Sequence, residues 1–105
     1  QIARLFVHAV PADELYHGIY FWRYGQPRRA LRALRRSIAA ADKLTLGFEK
    51  ATAQYWLGCF AQTPAGRRIV PEGAEPHLRA AIATFAQVGS ALLLKNAQEA
   101  LQSAR

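Results

Sequence analysis

Seven carboxylates, three histidines and one cysteine are the side chains of this 105-residue sequence best suited to chemistry, and their spacing assembles little of it. His8, His17 and His77 are scattered, without the paired spacing that puts two imidazoles on one metal ion. Cys59 has no histidine near it in sequence and no cation within a helical turn to lower its pKa, so it reads as a small buried side chain. A lone cysteine also closes no internal disulfide. Asp13, Glu14, Asp42, Glu49, Glu72, Glu75 and Glu99 fall mainly at expected helix beginnings or on polar faces. The run Thr63-Pro64-Ala65-Gly66-Arg67-Arg68 lacks the second glycine and the lysine-serine pair of a phosphate-cradling loop. The expectation is a chain that is not an enzyme and has no metal site and no cofactor.

The arginines and the aromatics remain. Fourteen basic residues against seven acidic ones give a net charge of +7, and eleven of the fourteen are arginine. Arg28, Arg32, Arg35 and Arg36 recur at the helical period and, with Arg23 and Arg29 nearby, predict one strongly positive face. Such a face reads first as the solvated side of a helix and second as a phosphate-tracking stripe for DNA or RNA. A helix-turn-helix reader is disfavoured, because these helices carry alanine and leucine where base-reading polar groups belong. The aromatics gather in two segments, Leu15-Tyr16-His17-Gly18-Ile19-Tyr20-Phe21-Trp22 and Tyr55-Trp56-Leu57-Gly58-Cys59-Phe60, each built around a glycine notch.

The elements that hold these segments read as helices throughout. The apolar stretch 2–10 ends at Pro11, and Asp13 and Glu14 suit the first turn of a new helix, so a lead-in helix followed by one from Ala12 to about Tyr24 is expected. Gly25-Gln26-Pro27 suits a helix stop and a new start. Leu31, Leu34, Ile38 and Ala41 then mark an apolar stripe over 27–44. A third main helix covers about 48–62. Residues 63–75, with two prolines and two glycines, read as a loop. Pro76 opens a helix through Val88 that carries Leu78, Ile82 and Phe85, and Gly89 ends it. Ser90 is placed to cap a last helix over 91–103. No strand-like alternation of useful length occurs. The fold class expected is all-α, with antiparallel helical hairpins stacked as an array of about five or six helices.

Gly18, Phe21, Gly25, Ala30 and Leu34 in the first hairpin, and Leu57-Gly58, Ala81 and Phe85 in the second, resemble the tetratricopeptide repeat, in its divergent bacterial form. The resemblance covers about residues 12–101. Glu14 and Gln54 stand where the family has its leading tryptophan, Ala61 replaces the second aromatic, and the closing proline is missing from both copies. The two glycines lie 40 positions apart rather than about 34. The resemblance implies a first hairpin over 12–44, a second over 48–88 with an enlarged turn at 63–75, and a terminal capping helix over 91–103, all within one domain spanning 1–105. Because the sequence starts at Gln1, it reads as a fragment of a longer protein.

In this family the first helix of each pair lines a concave groove. Carried onto this sequence, the groove positions are Leu15, Ile19 and Trp22, then Tyr55, Cys59 and Gln62. Lysine and asparagine of a carboxylate clamp are missing there, so an apolar helix or extended segment anchored on Trp22 and Tyr55 is the expected ligand. The function implied is a non-catalytic protein-interaction or regulatory scaffold in a larger bacterial signalling or transcription-regulatory protein. Two alternatives stand beside it: a basic module that binds nucleic acid through the arginine row, and a structural capping or homo-oligomerisation segment. No apolar run approaches the length of a membrane span and no leader is evident, so no membrane and a cytoplasmic location are expected.

Overall fold

The computed structural model describes the backbone of residues 2–104 and the side chains of residues 12–104. It is all-α, with six helices and no strand among the described residues: α1 (Ile2–Arg23), α2 (Pro27–Lys43), α3 (Gly47–Ala61), α4 (Pro64–Ile69), α5 (Glu75–Val88) and α6 (Ala91–Ser103). Neighbours pack in a zigzag, α1 on α2, α2 on α3, α3 on α5 and α5 on α6, and α3 also touches α1, α4 and α6. That places α1, α3 and α6 in one layer and α2 and α5 in the other. The molecule is a slab of 44 × 32 × 19 Å, and its thin dimension suits two layers of helices of about 10 Å each.

Three helix ends share one chemistry. Gly25 donates its N–H to the Trp22 carbonyl and Gln26 donates to Phe21; Thr45 and Leu46 do the same to Asp42 and Ala41; Gly89 and Ser90 do so to Ala86 and Phe85. Each is the paired bond that satisfies the last carbonyls of a helix and needs one residue with positive φ. Gly25 (φ 72°) and Gly89 (φ 73°) supply it without strain, whereas Thr45 (φ 55°) bears the steric cost of a β-branched side chain.

Four expectations are corrected. Pro11 does not separate a lead-in helix from a second one, for α1 runs through it. A proline removes one backbone bond and crowds one carbonyl, and a helix continues past it where both flanking segments favour helix. The carboxylates of Asp13 and Glu14 therefore lie mid-helix rather than in a first turn. The loop expected over 63–75 contains the short helix α4, started by Thr63, whose hydroxyl accepts from the Gly66 N–H. Ser90 does precede α6, but its side chain makes no capping bond there.

The fourth correction concerns the second notch. A Cβ on Gly18 would stand 2.8 Å from Leu34, as the sequence implies, but one on Gly58 would stand 2.6 Å from Leu78 and 3.5 Å from the Ala74 carbonyl. The partners of Gly58 are thus Ala74 and Leu78, not Ala81 and Phe85. These last two are buried in a separate cluster with Ala51 and Ala97, towards the other end of α3. Measured from notch to leucine, the second hairpin is four residues longer than the first, 20 against 16. The main core joins Ala30, Leu34, Leu57, Phe60, Ala61, Val70, Ala74 and Leu78, so the enlarged turn contributes Val70 and Ala74 to the interior.

Candidate partner-binding groove

α3 is the middle helix of its layer, and the candidate trough runs along it. α3 touches both α1 and α6, while α1 and α6 do not meet among the described residues. On the α1 side Leu15, Ile19 and Trp22 are half-buried, and so are Tyr55 and Cys59 on α3 and Gln62 at its C-terminal cap. All six sequence-predicted groove positions therefore keep some contact with solvent. Their registers explain this: steps of three and four from Leu15 and from Tyr55 hold each trio on one face of its helix.

The aromatic part of the trough is a connected cluster. The Trp22 ring stands edge-on to Phe60, centroids 5.5 Å apart, and edge-on to Trp56 at 6.3 Å. Trp56 in turn meets Tyr55 at 5.7 Å, again edge to face. Such edge-on pairs favour the ring quadrupoles and add about 0.5–1.5 kcal/mol each beyond the area they bury. Leu15, Trp22, Tyr55 and Trp56 all pack on the main core. Ile19 is half-buried one turn from Leu15.

Cys59 lies one turn beyond Tyr55, and the two side chains hydrogen-bond to each other. Burial pushes the thiol up from its usual range, and the Tyr55 bond only partly offsets that. Burial, and then the neighbouring Cys59, also push the Tyr55 phenol up to about 12. Both groups are neutral at physiological pH, so this part of the trough offers apolar surface and neutral hydrogen-bonding groups. Gln62 donates its Nε2 to the Ala100 carbonyl of α6 at 2.6 Å, which ties the end of α3 to the far wall.

Two contributors escape the sequence pattern. Trp56 sits between the expected groove positions and links Trp22 to Tyr55; its adjacency to Tyr55 is the only hint of that role. The α6 wall, with half-buried Asn96 and Ala100, depends on a return of the chain across α5 that no local spacing announces.

The arginine row divides in two. Arg35 grips Glu72 with both Nη atoms, at 2.8 and 3.1 Å, and Arg36 pairs with Glu14. Arg28 and Arg32 are exposed and have no carboxylate partner among the described residues. The expected uniform basic face is therefore half occupied by bonds within the chain. His17 is exposed. Among the described residues, no three His, Cys, Asp or Glu side chains come together at metal-binding range, and no helix is long and apolar enough to cross a membrane.

Compared with known proteins, the chain matches no family profile, no curated protein and no solved structure.

Proposed function

We propose that this chain is a non-catalytic protein-interaction module, a tetratricopeptide-like scaffold of a larger regulatory protein, that takes an apolar helix or extended segment of a partner along the α3 trough. The observation that carries the reading is the half-buried strip of Leu15, Ile19, Trp22, Tyr55 and Cys59 on α1 and α3, open between two helices that do not touch. Apolar anchors set in a concave strip, with neutral hydrogen-bonding groups beside them, are what a helix-in-groove interface uses. Carboxylate capture has no support there, since no lysine or arginine is among the six groove residues.

The test is selection of displayed peptides of about 15 residues, enough for four helical turns, against the chain. Selected peptides should carry apolar residues at helical spacing and should lose binding to Ile19→Glu or Cys59→Glu while retaining it to Arg28→Gln/Arg32→Gln. Peptides whose binding follows the arginines instead would defeat the groove reading.

A further inference from the structure

The outer edge of the first hairpin carries a second surface, built from other residues than the trough. Tyr16 and Tyr20 on α1 and Tyr24 in the turn just after it follow one another at steps of four and are 69%, 54% and 67% exposed. Large aromatic rings left this open in a row are unusual, since covering their apolar ring surface would be favourable by about 25 cal/mol per Å². The Tyr20 ring lies 4.5 Å from that of Tyr24 and stands edge-on to Phe21 at 5.8 Å. The Arg29 guanidinium lies over the Phe21 ring, 5.8 Å from its centroid. Phe21 also floors a shallow hollow of about 230 Å³ whose rim is Arg29, Arg32 and Arg36. Tyrosine rings and guanidinium groups thus form one continuous surface joined through Phe21.

Charge narrows the choice of ligand. Arg36 is partly neutralised by Glu14, but Arg29 and Arg32 have no carboxylate among the described residues, and the chain as a whole carries +7. An acidic peptide would satisfy the guanidinium groups and leave the rings unused. A duplex would offer phosphates, but its bases are stacked inside and present no faces to an exposed ring. A single strand offers both: phosphates for arginine and unstacked bases for tyrosine.

We propose that the outer edge of the α1–α2 hairpin is a binding surface for single-stranded nucleic acid, with Tyr20 and Tyr24 stacking on bases and Arg29 and Arg32 holding the adjoining phosphates. The surface uses none of the six groove residues and stands apart from the groove reading.

Fluorescence polarisation of labelled oligo-dT and oligo-U of about 12 nucleotides, at about 50 and 200 mM salt, tests it. The strands should bind at low salt and weaken as salt rises. Tyr20→Ala/Tyr24→Ala should lower affinity about tenfold or more. Arg29→Gln/Arg32→Gln should weaken binding and flatten the salt dependence by about one unit of slope for each phosphate that arginine no longer neutralises. Should Tyr20→Ala disturb the fold, as circular dichroism would reveal, Tyr24→Ala alone serves, with a loss of about fivefold or more expected. Failure of both single strands to bind at low salt overturns the proposal. So does binding that is matched by a duplex or by polyglutamate and is indifferent to the tyrosine substitutions, which would mark a general anion surface or an acidic protein partner.

Discussion

Glu72 shows how much one side chain can organise in a loop-rich region. It precedes α5, yet it reaches back to Arg35 on α2 through two bonds and lies 2.7 Å from His77 Nε2, which donates to its ionised carboxylate. The Arg35 bonds chiefly, with a smaller contribution from His77, hold its carboxyl at about 2 against an ordinary 4.5. A carboxylate whose pKa is depressed by folding stabilises the fold above its unfolded value, and that contribution disappears as pH falls through the folded value. The window here runs from about pH 4.5 down to about pH 2. Because the pair is partly solvent-exposed, it contributes under about 1 kcal/mol. Melting temperatures across that window should fall more steeply for the parent chain than for Glu72→Gln, with the variant a little less stable at neutral pH and the two meeting at the acid end of the window. Parallel curves would mean that the ion pair contributes nothing.

Helix ends and helix crossings set stability at the next scale. Thr45 occupies the place that Gly25 and Gly89 hold in the same carbonyl-satisfying turn, so Thr45→Gly should relieve strain. The relief of about 1–2 kcal/mol, less the greater entropy of glycine in the unfolded chain, leaves a gain of about 0.5–1 kcal/mol and a melting temperature a few degrees higher. Gly66 is the opposite case: a Cβ there would stand 1.9 Å from the Phe60 carbonyl oxygen, which is backbone and cannot swing aside. Gly66→Ala should detach α4 from the end of α3 and cost about 3 kcal/mol by denaturant unfolding. Gly47→Ala, with nothing within 4 Å, is the control and should change stability by no more than about 0.5 kcal/mol. The same elements mark what is legible in the sequence. Gly25-Gln26-Pro27 and Gly89 are unambiguous stop and start signals, and the helix ends fall at both. α4 is hidden because its six residues hold two punctuating types, Pro64 and Gly66, and its stability comes from contact with α3. The partner of Gly58 is obscured for a related reason: a helical period repeats every turn, so Leu78 and Phe85 are equally good matches until the length of the intervening connection is known.

At the scale of the molecule, two layers leave two kinds of surface. The helix that carries the candidate trough is legible from the sequence, because Tyr55, Cys59 and Gln62 can share a face only if 48–62 is helical. The trough's far wall is not, since α6 reaches α3 only by tertiary packing. The first hairpin, over 12–44, turns its tyrosines and four of its six arginines outward without a carboxylate partner among the described residues, while Arg35 and Arg36 are held by Glu72 and Glu14. That division comes from carboxylates 37 and 22 positions away, beyond any local pattern. The central claim is that the trough, and not the basic edge, receives a partner's apolar segment. Amide hydrogen exchange of the chain with and without a saturating selected peptide tests it most directly. Exchange should slow in residues 15–22 and 55–62 with 28–36 unchanged; slowing confined to 28–36, or to no part of α1 and α3, would contradict it.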